Sequence, residues 1–368
     1  MVASAERPAG GSAVTDRRHT VVDVDAHFLD TSKDLAAYMP EEEPWTERFE
    51  EARMDMLPNP TPDLYRGGRI RRDDVGYPVD HDDVVAIQDH VGFDKIVMIP
   101  MAALLIASIQ ADDRRPELLA QGFVDLMLDR IVDPDAGIYS VIPAPSTDPG
   151  AAAELIDDST ELVSVVHISN TLGTVNPVAD LADLAHEHDA YIFVDGAQSA
   201  PTHPVDVKAI DADFFAFSGH KMCGPTGIGA LYGKEHVLEE MDPYLYGGDM
   251  IRRVTYEDST WEDLPWKFEA GTPSISQGIA FAAAVDYLED IGMANVRAHE
   301  ELLAEYAYDR LTEFDDVTIY GPPGDDRGGL VAFNLDGVHA HDLSSILNDH
   351  GVAIRAGDHC TQPLHDTL

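Results

Sequence analysis

Apolar residues in this chain fall in short unbroken runs separated by amphipathic stretches, the spacing of alternating strands and helices. Val21-Val22-Asp23-Val24-Asp25-Ala26-His27 reads as a strand, and a long polar segment rich in Pro, Arg and Asp follows it. An amphipathic helix near residues 82–91, a strand over 95–100, a helix near 116–128 and a strand over 137–142 complete a βαβαβ order, that of a parallel α/β structure. Around residues 143–158 the pattern breaks: Pro143-Ala144-Pro145-Ser146-Thr147-Asp148-Pro149-Gly150 leads into a short acidic helix over 151–158, which marks a boundary.

Beyond it the alternation is cleaner. Residues 162–169 predict a strand, 178–188 a helix, 190–194 a strand, and 213–217 and 228–232 two more short strands. Their continuous rather than alternating apolar character predicts a buried, mostly parallel sheet. Residues 277–314 predict two helices broken near Gly292. Strands over 317–320 and 330–335, a helix over 340–349 and then Val352-Ala353-Ile354-Arg355 predict a smaller α+β domain. The expected division is a tail over 1–19, an α/β segment over 20–150, a large-domain portion over 151–275, and linker helices with a small domain over 276–368.

Composition narrows the partners. The 368 residues suffice for two or three domains with a large core. Against 24 basic residues stand 68 acidic ones, and the net charge of −44 repels nucleic acid and anionic membrane. With 44% hydrophobic residues and acids spread throughout, the chain is no acidic disordered tail; it fits a soluble protein of a high-salt cytoplasm, where ions screen self-repulsion. Two cysteines, Cys223 and Cys360, are too few for a disulfide framework or a structural zinc site. The first twenty residues lack the apolar segment of a signal peptide, and no run approaches the roughly 18 apolar residues of a membrane helix. The expected location is the cytoplasm.

The chemistry gathers in Ser218-Gly219-His220-Lys221-Met222-Cys223-Gly224-Pro225-Thr226-Gly227, where one of only six lysines sits in a glycine-flanked turn after an apolar run. A held lysine becomes a nucleophile when its surroundings lower its pKa, although the same residues also read as a surface lysine in a Gly-Pro turn. Upstream, Tyr191-Ile192-Phe193-Val194 ends in Asp195. In open α/β sheets ligands sit beyond the carboxyl ends of strands, and a carboxylate there needs either a cation or a helix N-terminus to cap. An acid and an amine thus emerge from neighbouring strand ends. Pyridoxal phosphate asks for that pair, a lysine to bond its aldehyde and an acid against its ring nitrogen, with Ser218 and His220 as phosphate donors. Cys223 and His203 read as a turn residue and a packing residue.

Residues 161–364 resemble the class V aminotransferase fold and within it the group II (Suf-type) cysteine desulfurases. The matching motifs are His167-Ile168-Ser169-Asn170-Thr171-Leu172-Gly173, Val194-Asp195-Gly196-Ala197-Gln198, Phe217-Ser218-Gly219-His220-Lys221, Phe268-Glu269-Ala270-Gly271-Thr272-Pro273 and Arg355-Ala356-Gly357-Asp358-His359-Cys360. The resemblance implies an incomplete fold-type-I large domain with a truncated small domain. It implies that Lys221 carries the cofactor, Asp195 pairs the ring nitrogen, Gln198 contacts the ring hydroxyl, and Ser218 and His220 bind phosphate. Asn170 would lie beside ring and substrate, and Thr272 would come from the other subunit of a homodimer. Cys360 is the implied persulfide-forming nucleophile, with Arg355 and His359 as neighbours favouring its thiolate and as candidate substrate contacts. The implied reaction moves sulfur from L-cysteine to an acceptor protein of iron–sulfur assembly and releases L-alanine.

The front of the chain departs from that pattern. The family's early strands, phosphate-loop threonine and ring-stacking histidine have no counterpart before Glu161, and its carboxylate-binding arginine would fall beyond residue 368. Residues 20–149 instead resemble the opening third of an amidohydrolase-related β/α barrel, with Asp23-Val24-Asp25-Ala26-His27 as its first-strand metal motif. Asp25 and His27 would be two ligands, one short of the usual catalytic zinc set, so no metal is expected. A metal-dependent amidohydrolase or decarboxylase, and an inactive chimeric fragment that only binds a partner subunit, remain the alternatives.

Overall fold

A computed structural model describes residues 22–28, 81–91, 94–100, 115–141, 149–256, 258–361 and 364–365. The expected tail, the polar segment after the first strand and the Pro-rich stretch 143–148 lie outside these residues. The chain divides into two compact units, Met1–Pro143 and Ala144–Leu368.

In the first unit, β1 (Val22–Phe28), β2 (Lys95–Pro100) and β3 (Ile138–Ser140) form a parallel sheet in that order, with α1 (His81–Val91) preceding β2 and α2 (Arg115–Arg130) preceding β3. Ile96, Met98, Leu126, Met127, Ile131 and Ile138 are fully buried. Gln88 of α1 spends its buried amide on the carbonyls of Asp94 (3.0 Å) and Ala136 (2.9 Å), fastening the helix to both turns that enter the sheet.

The second unit is built on β4 (Leu162–Val166), β5 (Tyr191–Asp195), β6 (Phe214–Ser218) and β7 (Gly229–Gly233). The first three are parallel and β7 returns antiparallel, an α/β sheet that is mostly parallel. Helix α4 (Val178–Glu187) turns Val178, Leu181, Ala182 and Ala185 inward, the i, i+3, i+4, i+7 stripe of an amphipathic helix. They meet Val165, Ile192, Val194 and Phe215 in one core, where each large side chain contributes roughly 2 kcal/mol by leaving water. Burial nevertheless alternates along the strands, against the expectation of continuous burial. Leu162, Val166, Tyr191 and Leu231, which point the other way, are 51%, 41%, 39% and 53% exposed. The side chains of these runs are apolar on both faces, but only the α4 face is packed into the core.

At the amino ends of these strands Asp213 is buried and ties four elements together. It accepts from His186 Nε2 (2.9 Å), Ile192 N (2.8 Å) and Lys234 Nζ (2.8 Å). Burial pushes its carboxyl up, but the hydrogen bonds from Lys234, His186 and Ile192 outweigh that and hold it below the ordinary range.

The acidic helix expected over 151–158 contracts to α3 (Pro149–Ala152). Asp157 accepts from the amide of Ser159 at 2.8 Å while its own N–H donates to Thr160 Oγ1 at 3.1 Å, and this local turn wins over helix. After α5 (Val207–Ile210), α6 (Glu235–Glu240) and the hairpin β8 (Ile251–Val254) and β9 (Ser259–Trp261) come α7 (Ile275–Ile291) and α8 (Met293–Leu311). These two part at Gly292, whose φ of 86° suits glycine. The small α+β cluster consists of antiparallel β10 (Val317–Tyr320) and β11 (Ala332–Leu335) with α9 (Ala340–Asp349). Val352–Arg355 adds no strand to it.

Candidate active site

Because β4, β5 and β6 are parallel, their carboxyl ends line one edge of the sheet, where Val166 pairs with Asp195 and Asp195 with Ala216. Asp195 is exposed at this edge, and its Oδ1 accepts from the amide of Ala197 at 2.8 Å. The carboxylate is thereby fixed over the turn that follows β5 while remaining open to solvent; no helix starts there for it to cap, since the next one begins at Val207. Gly196 packs on the ring of buried Phe215, where a Cβ would collide, so the chain can turn sharply under Asp195 only with glycine there. Gln198 lies in the same turn.

One strand over, Ser218 ends β6 and Gly219–Lys221 make a single 3-10 turn. The Gly219 amide donates to Ile228 O (2.9 Å) and the Gly224 amide to Gly219 O (3.0 Å), closing the loop that presents His220 and Lys221, both exposed. Cys223 completes that loop at φ 58°, and Gly224 fits because a Cβ would stand 2.7 Å from Gly219 O.

The third strand end carries the loop over residues 169–175. Ser169 Oγ accepts from the amides of Leu172 (3.1 Å) and Thr171 (3.3 Å), leaving the side chains of Asn170 and the buried Thr171 to meet the turn over 359–361. Asn170 Nδ2 donates to His359 O at 2.7 Å, and Thr171 Oγ1 lies 2.8 Å from Thr361 Oγ1. The Thr361 hydroxyl donates to Asp358 O (2.9 Å), so in the second pair Thr171 is the donor. These bonds seat the exposed Cys360, together with His359, against the β4 end of the edge that carries Asp195 and Lys221. His359 and Cys360 have φ of 50° and 67°, a left-handed pair that costs roughly 1–3 kcal/mol per residue unless neighbours hold it. Burial, Arg355 and His365 hold the His359 imidazole below its usual pKa, against an opposing pull from Asp358. Arg355 is exposed four residues earlier.

Thr272 is exposed in the loop before α7, next to Gly271 at φ 81°. Asp25 and His27 fall on β1, where the register shifts between Asp23 and Ala26. Among the described residues no group of three His, Cys, Asp or Glu side chains could hold a metal ion. His203 lies behind the sheet: Thr202 Oγ1 gives its hydrogen to Gln198 O (2.7 Å) and therefore accepts from His203 Nδ1 (2.8 Å). Burial, then the charges of Arg297 and His167, lower its pKa to about 4, so it is a neutral packing residue at neutral pH. Thr171 and Thr361 carry no role in the sequence reading; Thr171 lies inside the motif over 167–173, and Thr361 follows Cys360.

Over 217 residues the chain is 84% identical to a cysteine desulfurase of Haloferax volcanii, a match covering 59% of this chain and 51% of the relative. It is 75% identical over 229 residues to a probable cysteine desulfurase of Halobacterium salinarum, covering 61% and 55%. The chain thus spans about half the length of the curated relatives it matches. Among solved structures, the cysteine desulfurase CsdA of Escherichia coli superposes with a TM-score of 0.59 at 33% identity, over 74% of this chain and 63% of that one. The family model for aminotransferase class-V matches residues 139–368, and the chain belongs to that family.

Proposed function

We propose that the chain is a pyridoxal-phosphate-dependent, Suf-type cysteine desulfurase that transfers sulfur from L-cysteine to Cys360. The observation that carries this reading is the docking of the Cys360 turn, through Asn170 and Thr171, on the strand-end edge shared by Asp195 and Lys221. The donor set there fits the cofactor: an exposed amine, an oriented carboxylate and a hydroxyl lie on adjacent strand ends, and Gly196 lets the chain turn between them. When bound, the cofactor supplies the electron sink for bond cleavage at the amino acid. Lys221 would anchor its aldehyde end and shuttle the substrate proton, Asp195 would hold the proton on the ring nitrogen, and Gln198 would meet the ring hydroxyl. Ser218 and His220 would hold the phosphate, with Thr272 supplied by the partner subunit of a homodimer.

The Cys360 thiolate attacks the substrate sulfur, so that an S–S bond forms while the carbon–sulfur bond breaks. The carbon keeps the electron pair, takes a proton and leaves as L-alanine. His359 is neutral at neutral pH and so is available to receive the thiol proton, and Arg355 offers a charge for the substrate carboxylate. The persulfide then passes to an acceptor protein of iron–sulfur assembly. An absorption spectrum tests the cofactor reading: protein supplied with pyridoxal phosphate develops the visible band of the lysine-bound cofactor, and Lys221→Ala loses it. A colourless wild-type protein defeats the reading. For residues 20–150 the parallel order of β1, β2 and β3 supports a β/α segment of amidohydrolase-like origin.

A further inference from the structure

The loop over 169–175 is gripped from two sides, and the second grip belongs to Arg327. This guanidinium is only 3% exposed, and the hydrogen bonds described for it all go to backbone carbonyls. Nε donates to Pro322 O (2.6 Å), Nη2 to Tyr320 O (2.9 Å), and Nη1 to Leu330 O (3.0 Å) and Leu172 O (3.4 Å), while the group lies 5.3 Å from the Tyr308 ring centre. The backbone repeats the clasp: Gly328 N donates to Gly173 O (2.7 Å) and Val175 N to Asp326 O (2.8 Å). Gly321 lies so near Leu172 O that a Cβ there would collide with it. A buried cation spread over four carbonyls admits one geometry, because each contact is directional and its desolvation is not repaid elsewhere.

We propose that Arg327 is a positioning residue for Cys360: it locks the 169–175 loop, and that loop, through Asn170 and Thr171, holds the left-handed His359-Cys360 turn in place. The proposal rests on the reading of Cys360 as nucleophile for its meaning, but its structural content can be measured without cofactor or turnover. Hydrogen–deuterium exchange on the full chain reads it directly. In Arg327→Lys, and separately in the milder Thr171→Val, the Thr361 amide, which donates to Asp358 O at 2.7 Å, exchanges about tenfold faster while the amides of α4 keep their rates. A loss of global stability would instead speed both. Unchanged exchange at Thr361 in either variant, once folded by circular dichroism, overturns the proposal; if Arg327→Lys does not fold, Arg327→Gln is read in its place. In steady state the same variants lower kcat and leave KM for L-cysteine within about twofold. Faster Thr361 exchange in both variants, alongside a wild-type protein that binds no cofactor, would sink the desulfurase reading and leave the clasp standing.

Discussion

The two cysteines occupy the same kind of backbone and are held in opposite ways. Cys223 at φ 58° and Cys360 at φ 67° are both exposed and both left-handed. The first sits in a loop closed within a few residues, by Gly224 N on Gly219 O and Gly219 N on Ile228 O. The second owes its seat to Asn170 and Thr171, whose partners lie 189 and 190 residues away. A turn closed by its own neighbours survives rearrangement elsewhere, whereas one held across the fold reports on everything between.

Substitutions separate the two turns. The largest difference is chemical: Cys360→Ser abolishes sulfide release from L-cysteine under reductant, by at least about 100-fold, whereas Cys223→Ser keeps it within about twofold. Release by well-folded, cofactor-loaded Cys360→Ser at the wild-type rate would erase the distinction. Next, Gly224→Ala drives a methyl toward Gly219 O, a backbone atom that cannot swing away. It should cost roughly 1–3 kcal/mol in urea unfolding and weaken the cofactor band, while leaving the 169–175 loop as it is. Smaller still is the pH response of the sheet's back side. His203 titrates near 4 in the folded protein against about 6.5 unfolded, so below pH 6.5 the unfolded chain binds a proton that the folded one refuses. Stability is full above that value and falls as pH drops toward 4; a Tm profile of His203→Gln should be flatter over that window, and an identical profile would remove His203 from the account.

The sheet shows how far patterning reaches. Apolar runs located β4, β5 and β6 to within a few residues, because a strand in an α/β core must be apolar wherever it is read. The same runs gave no warning that Leu162, Val166 and Tyr191 stand exposed, since coverage of a face depends on what else packs there. Likewise Asp157 reads as part of an acidic helix, yet it lies beyond the helix end at Ala152 and accepts from Ser159 in a turn of its own.

Local chemistry was legible in the same way. Asp195 at a strand end, Lys221 in its glycine-framed turn and the break at Gly292 follow from residue types acting over a handful of positions, where steric and hydrogen-bonding rules are short-ranged. What the string of residues could not contain was which loop would hold Cys360. Arg327, whose donors reach Leu172 O, lies in none of the motifs, and Thr171, though inside the motif over 167–173, carries no sign there that its hydroxyl meets Thr361. Their partners are chosen by packing in three dimensions, and a directional bond between residues far apart in the chain exists only once the sheet and the small domain have set its two ends a bond length apart.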